Sequence, residues 1–198
     1  MKKPLLYGIA VLASAIIVGS LLAFSSSNQV AGQAETNASQ DPAIAFLKLE
    51  GIDGESQDAN HTGWIDIEAF HWGLNHTASK GIAFGRPVIE DFCFETRVSK
   101  ASPKLFLASA NGKHFNWAVL SVTGKTSSDG QVQTFFNITM NSVVITSYEI
   151  TLSGQNELPT DHFCLDFGQI TMDYIIYGAP GGPQHVTATW DQVKNLGV

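Results

Sequence analysis

Phe46-Leu47-Lys48-Leu49-Glu50-Gly51-Ile52-Asp53-Gly54-Glu55-Ser56, followed shortly by Trp64-Ile65-Asp66-Ile67-Glu68-Ala69-Phe70-His71-Trp72-Gly73, decides the fold of this chain. Apolar and polar residues alternate in both segments, the period of a strand with one face in a core. Gly, Asp, Asn and Ser crowd the stretch between them, as turns require. In the second segment Ile65, Ile67 and Ala69 point one way, and Phe70 and Trp72 the other. A strand with apolar side chains on both faces must cover the second face, which makes Phe70 and Trp72 candidates for a subunit contact.

The same signal runs to the C-terminus, and the fold class it predicts is all-β. Strands are expected over residues 44–50, 64–73, 87–98, 115–124, 131–140, 143–152, 162–177 and 185–191. In 131–140, Phe136, Ile138 and Met140 share one face, while Gln133, Asn137 and Thr139 share the other. Along 162–177 the large residues run Phe163, Leu165, Phe167, then Ile170, Met172, Tyr174, Ile176, so the phase slips at Gly168. A glycine at such a slip predicts a β-bulge, which bends a long strand as barrel closure requires. One helix interrupts the pattern: Ser102 caps it, Pro103 suits its first position, Leu105, Phe106 and Ala110 form its apolar face, and Asn111-Gly112 ends it.

The segment in front of this domain has a different character. Lys2-Lys3 and an uninterrupted apolar run from Pro4 to Phe24 mark residues 1–24 as a cleaved signal peptide or a retained membrane anchor. Gly32 and Ala34 offer small residues for cleavage, whereas an anchor needs none. Either way the positive-inside rule leaves the lysines in the cytoplasm and the domain outside. Residues 25–43, rich in Ser, Asn, Gln, Ala and Gly without an apolar period, read as a flexible polar linker to a domain over 44–198. Sequons at Asn37, Asn60, Asn75 and Asn137 are candidate glycosylation sites compatible with export.

The chain has 198 residues and a net charge of −7. Residues 1–34 hold Lys2 and Lys3 and no acid, so the remainder carries 9 Lys and Arg against 18 Asp and Glu. Such a surface repels phosphates, which argues against nucleic acid or anionic lipid as partner of the folded part. Membrane contact is expected only through the N-terminal segment. Cys93 and Cys164 are too far apart for a zinc motif. Each lies between large apolar neighbours, so both thiols point to the opposite face; the pair forms one disulfide if their strands adjoin, or two inert thiols.

Chemistry finds little footing here. His61, His71, His76, His114, His162 and His185 are scattered without metal-ligand spacing, and Asp53, Glu55 and Asp58, which could gather round a calcium ion, do not follow the EF-hand pattern. Gly178-Ala179-Pro180-Gly181-Gly182-Pro183 lacks the strand-turn-helix setting of a phosphate loop, and no Gly-x-Ser-x-Gly elbow occurs. No catalytic residue, cofactor or metal is assigned, and an exported hydrolase is the least supported class.

Several linked motifs do carry a resemblance. Beyond the opening strands these are Val88-Ile89-Glu90-Asp91-Phe92-Cys93-Phe94, then Ser102-Pro103-Lys104-Leu105 with Ser109-Ala110-Asn111-Gly112-Lys113-His114. Phe163-Cys164-Leu165-Asp166-Phe167-Gly168-Gln169-Ile170, Asp173-Tyr174 and Trp190-Asp191 follow. In this order they resemble the Hcp family, the haemolysin-coregulated tube protein of type VI secretion systems, from about Ile44 to Val198. The resemblance implies a compact β-barrel with one short flanking helix, hexameric rings with a wide pore, and stacking of rings into tubes. It also implies that Leu74 to Arg86 is the family's extended loop, projecting toward a neighbouring ring or subunit. A glycan at Asn75 would then obstruct stacking, and one at Asn137 ring closure or the pore wall.

The head departs from that family, whose bacterial members assemble in the cytoplasm inside a contractile sheath. A chain exported by the general pathway would not meet such a sheath. The expected protein is therefore an exported structural protein that assembles into rings or tubes, as conduit, cargo carrier or surface filament. The rival expectation is a monomeric β-barrel module, secreted or membrane-anchored, that recognises a ligand or partner protein through its loops.

Overall fold

A computed structural model describes residues 44–125, 132–155 and 157–197. The expected signal peptide or anchor, the linker to residue 43 and Asn37 lie outside the described residues. Among the described residues, no helix is long and apolar enough to cross a membrane.

The first strands are β1 (Ala45–Leu49), β2 (Ile65–Ile67) and β3 (Ala69–His71). Four short ones follow, β4 (Leu74–Asn75), β5 (Ala78–Ser79), β6 (Ile82–Ala83) and β7 (Val88–Ile89), then β8 (Phe92–Arg97). After helix α1 (Ser102–Asn111) come β9 (His114–Lys125), β10 (Val132–Thr151), β11 (Thr160–Ile176), β12 (Gln184–Asp191) and β13 (Leu196–Gly197). All the strand pairings are antiparallel, in the order β2–β1–β9–β10–β11–β8–β3. Since β2 and β3 are one chain bent at Glu68, whose N–H donates to the Glu95 carbonyl of β8 at 2.9 Å, that order closes a barrel. The strand expected over 64–73 is therefore split, because it must turn the barrel's corner; past the bend Ala69, expected on the face of Ile65 and Ile67, is exposed, and Phe70 and Trp72 pack on the core residue Phe92.

The alternating residues of the opening segment enter the core as their period predicts: Ala45, Leu47, Leu49, Ile65 and Ile67 are all buried. Phe92, Phe94 and Phe163 stack in series at 4.8 and 5.3 Å between ring centres. Helix α1 adds Leu105 and Ala108 to that core. Two details of the expected helix are corrected. Phe106 is exposed, packing only loosely against Tyr148, because a ten-residue helix on a barrel buries one narrow stripe and Leu105 occupies it. Ser102 is not the N-cap; Ala101 holds that position without a side-chain bond. The Ser102 hydroxyl accepts the Ser99 N–H at 2.9 Å and donates to Asp161, which is wholly buried in β11. Tyr148 donates to the other Asp161 oxygen at 2.8 Å, so one carboxylate ties the helix start to two strands. Burial, and then Asp161, hold the Tyr148 hydroxyl above its usual pKa.

Residues 131–140 and 143–152, expected as two strands, are the single strand β10. Ser142 takes a left-handed φ of 56° without turning the chain back. Gly168 lies opposite, where a Cβ would stand 3.2 Å from the Ser142 Cβ. The β10–β11 ladder keeps step across this point, Asn141↔Gln169 and Val143↔Phe167, so the bulge expected at Gly168 is absent. Inward-facing residues nevertheless change parity together in three strands, from Phe115 to Ala118, Met140 to Val143 and Phe167 to Ile170. The slip read at Gly168 is thus one line of a crease across the sheet. Register shifts occur elsewhere in β10, between Ile145 and Ser147 against β11 and between Thr134 and Phe136 against β9.

Candidate functional site

Three surfaces project or open from the barrel. Residues between Gly73 and Glu90 leave the wall as a two-tier hairpin, β4 pairing with β7 and β5 with β6, its base fastened by the Glu90 N–H to the Gly73 carbonyl at 3.0 Å. Leu74, Ile82, Phe84 and Val88 are exposed along it. This hairpin occupies the segment expected to project, and it carries Asn75, whose amide donates to Glu90 at 3.1 Å.

The second surface arises because β10 and β11 outrun the barrel. Their far ends pair with each other and with β12 in the rung Phe136–Tyr174–Val186. Tyr174, Ile176 and Val186 continue the face that buries Ile170 nearer the barrel, and here they are exposed. The reverse face is mainly polar: Ser121, Asn137, Asp173 and Thr187 form one rung, Val119, Thr139, Thr171 and Thr189 the next. Asp173 accepts from Thr187 at 3.0 Å and pairs with His185 at 2.9 Å. Asn137 is half-buried within this face, and Asn60 lies exposed in the loop after β1.

The third surface is a depression of about 500 Å³ on the outside of β3, β8, β11 and β10. Its floor carries Cys93 and Cys164, register partners joined by a disulfide with 4.0 Å between their Cα atoms. Phe70, 39% exposed, forms part of its rim. Phe70 packs inward on Phe92, 5.8 Å between ring centres, and Trp72 goes deeper. It is half-buried, stacked at 6.0 Å on Phe92 and packed on Phe167, and its indole N–H is buried without a hydrogen-bond partner. Trp72 also walls a mainly apolar recess of about 240 Å³ with Leu74, His76, Pro87, Ile89, Ile170 and Trp190.

The acidic residues of the opening turn do not converge. Asp53 binds Lys48 at 2.7 Å, Glu55 accepts the Lys100 N–H at 3.1 Å, and Asp58 turns to His61 at 2.6 Å. Among the described residues no group of three or more His, Cys, Asp or Glu could hold a metal. Glu50 accepts both N–H groups of Asn116, at 2.6 and 2.8 Å, and the backbone bond chiefly holds its carboxyl below the usual range.

One constellation had no sequence signal. His61 is buried, stacked on Phe46 at 4.3 Å, with Nδ1 on Asp58 and Nε2 on the Ser121 hydroxyl at 2.9 Å. Its hydrogen-bond order is that of a hydrolase triad, but Ser121 is only 2% exposed beneath the loop, which leaves a substrate no approach. Its work is mechanical: it pins the 53–64 loop over β1 and β9. Asp58 and His61 are near in sequence; Ser121 is 60 residues away, and only the register Phe46↔Ser121 unites them.

Closed barrel, end helix and projecting hairpin define a class that comparison makes specific. The family model for the type VI secretion system effector Hcp matches residues 46–174. Protein hcp1 of Pseudomonas aeruginosa is 31% identical over 133 residues, covering 65% of this chain and 81% of that protein. The structure of a type VI secretion system effector from Yersinia pestis is similar at 27% identity, TM-score 0.59, covering 74% of this chain and 98% of that one. Hcp1 from Salmonella typhimurium shares the fold at 24% identity and TM-score 0.64, over 78% of this chain and 97% of its own. The chain belongs to the Hcp family of type VI secretion proteins.

Proposed function

We propose that residues 44–198 assemble with copies of themselves into hexameric rings, and rings into tubes, outside the cytoplasmic membrane. The observation that carries this reading is the exposed apolar face of Tyr174, Ile176 and Val186 where the sheet outruns its barrel. A lone protomer leaves that face wet, and a second copy laid against it removes it from water. The hairpin, with Leu74, Ile82, Phe84 and Val88, reaches toward the next ring; Phe70 contributes to the contact and Trp72 stiffens the wall behind it. The polar rungs through Asn137 and Asp173 suit a water-filled lumen for a protein cargo. Asn75 and Asn137 are unglycosylated in the assembled protein, since sugar at either obstructs packing.

Residues 1–24 carry the domain across the membrane and are either removed or kept as a tether, with 25–43 as the spacer. Export places Cys93 and Cys164 where a disulfide persists. A secreted or tethered ring then works as conduit, cargo carrier or surface filament, without a contractile sheath and without catalysis.

The apolar recess beside Trp72 favours a second reading, a monomeric module that holds a ligand under its hairpin. Size-exclusion chromatography of residues 44–198 separates the two. A ring elutes near six protomer masses, and replacing Tyr174 and Val186 with Ser shifts it to one; a monomeric module elutes at one protomer mass throughout.

A further inference from the structure

Cys93 and Cys164 occupy the floor of an open depression, not the core, although the residues flanking each are fully buried. Both cysteines are partly exposed, with His71 beside Cys93 and Ser147 beside Cys164 on the same outer face. The strands they join are already paired from Thr160↔Arg97 to Leu165↔Phe92. Opening the bridge therefore removes no ladder pair and uncovers no core residue. The charged groups on this face are Glu95 and Glu149 with His71 and His162, and on the other side of the bridge Asp166 and Asp91, whose carboxylate accepts the Thr146 hydroxyl beside Cys164; His162 lies 3.5 Å from Glu95 and bonds Thr151.

We propose that Cys93 and Cys164 form a reversible dithiol–disulfide couple, opened and closed in the folded domain by exchange with low-molecular-weight thiols, cationic aminothiols preferred. A thiolate attacks one Sγ, a new S–S bond forms, and the Cys93–Cys164 bond breaks with its electron pair on the departing sulfur. A second thiolate resolves the mixed disulfide. Two thiols become one small disulfide, the protein gains two thiols, and the two protons pass by way of solvent. Glu95 and Glu149 repel anionic thiols and attract cationic ones. The link spans 71 residues, so the couple changes the entropy of the unfolded chain and hence the domain's stability, leaving its shape alone.

The test treats the oxidised full chain, in native buffer, with cysteamine, 2-mercaptoethanol and mercaptoacetate. Alkylation and mass spectrometry follow thiol release, and each rate is divided by that reagent's rate with a small neutral disulfide. The couple predicts rates proportional to thiol concentration, cysteamine leading mercaptoacetate by about threefold, and recovery of the bridge with cystamine. The double variant E95Q/E149Q narrows the preference and keeps its 2-mercaptoethanol rate. A rate that levels off with thiol concentration, or that climbs with sub-denaturing urea in step with the unfolding equilibrium, means the bridge opens only through unfolding, which overturns the proposal. An equal or reversed order of the charged thiols in the unaltered chain overturns the cationic preference.

Discussion

A Cβ at Gly54 would lie 2.1 Å from the Trp64 carbonyl oxygen, so the turn after β1 exists because that residue has no side chain. Gly54→Ala must displace backbone, and about 2 kcal/mol or more of stability should disappear from urea unfolding. A few residues on, Asp58 shows how the loop answers to pH. Its own desolvation opposes ionisation, yet the His61 hydrogen bond and the Asn60 and His61 N–H groups together leave its pKa below the ordinary value. The unfolded chain therefore takes the proton first as pH falls. The contribution of Asp58 is complete above about pH 4 and fades as pH drops through the folded value. Asp58→Asn should unfold more easily than the parent at pH 6 and lose less on acidification to pH 3, as thermal melts at both values would show.

Helix α1 and the long strands show where sequence pattern reaches and where it stops. Start and stop residues place α1, and alternation finds every wall strand of the barrel, because both signals are local. Ser102 misleads at the same helix: its hydroxyl looks like a cap from its neighbours, but Asp161, 59 residues away, claims it. Ser142 misleads likewise, since an Asn-Ser pair between apolar runs is turn-like until Gly168 stands opposite and allows β10 to continue. Tyr148→Phe removes one donor from buried Asp161 and should cost about 1–2 kcal/mol in urea unfolding, with native circular dichroism retained. The Cys93→Ser, Cys164→Ser double variant tests the β8–β11 pairing. It should keep the native spectrum and lose about 2–4 kcal/mol, because the bridge constrains the unfolded chain more than it shapes the folded one.

Over the whole molecule, family membership and the barrel follow from motifs met in order along the chain, whereas the candidate assembly surfaces depend on which strands outrun their partners. Phe70 and Trp72 look equivalent in sequence, and past the bend at Glu68 both pack on Phe92; Trp72 also reaches Phe167 and is the more buried, while Phe70 stays partly at the surface. Tyr174 and Val186 carried no such signal, since their exposure comes from the end of the barrel beneath them. In the proposed assembly the hairpin and the sheet extension make separable contacts. Ile82→Ser with Phe84→Ser should leave single rings intact and abolish their stacking, seen as loss of tubes in electron micrographs. Sedimentation velocity of residues 44–198 across a hundredfold range of concentration is the most direct test of self-assembly. The account predicts a species of about six protomer masses that gives way to monomer in the Tyr174→Ser, Val186→Ser variant; a single monomeric boundary at the highest concentration would contradict it.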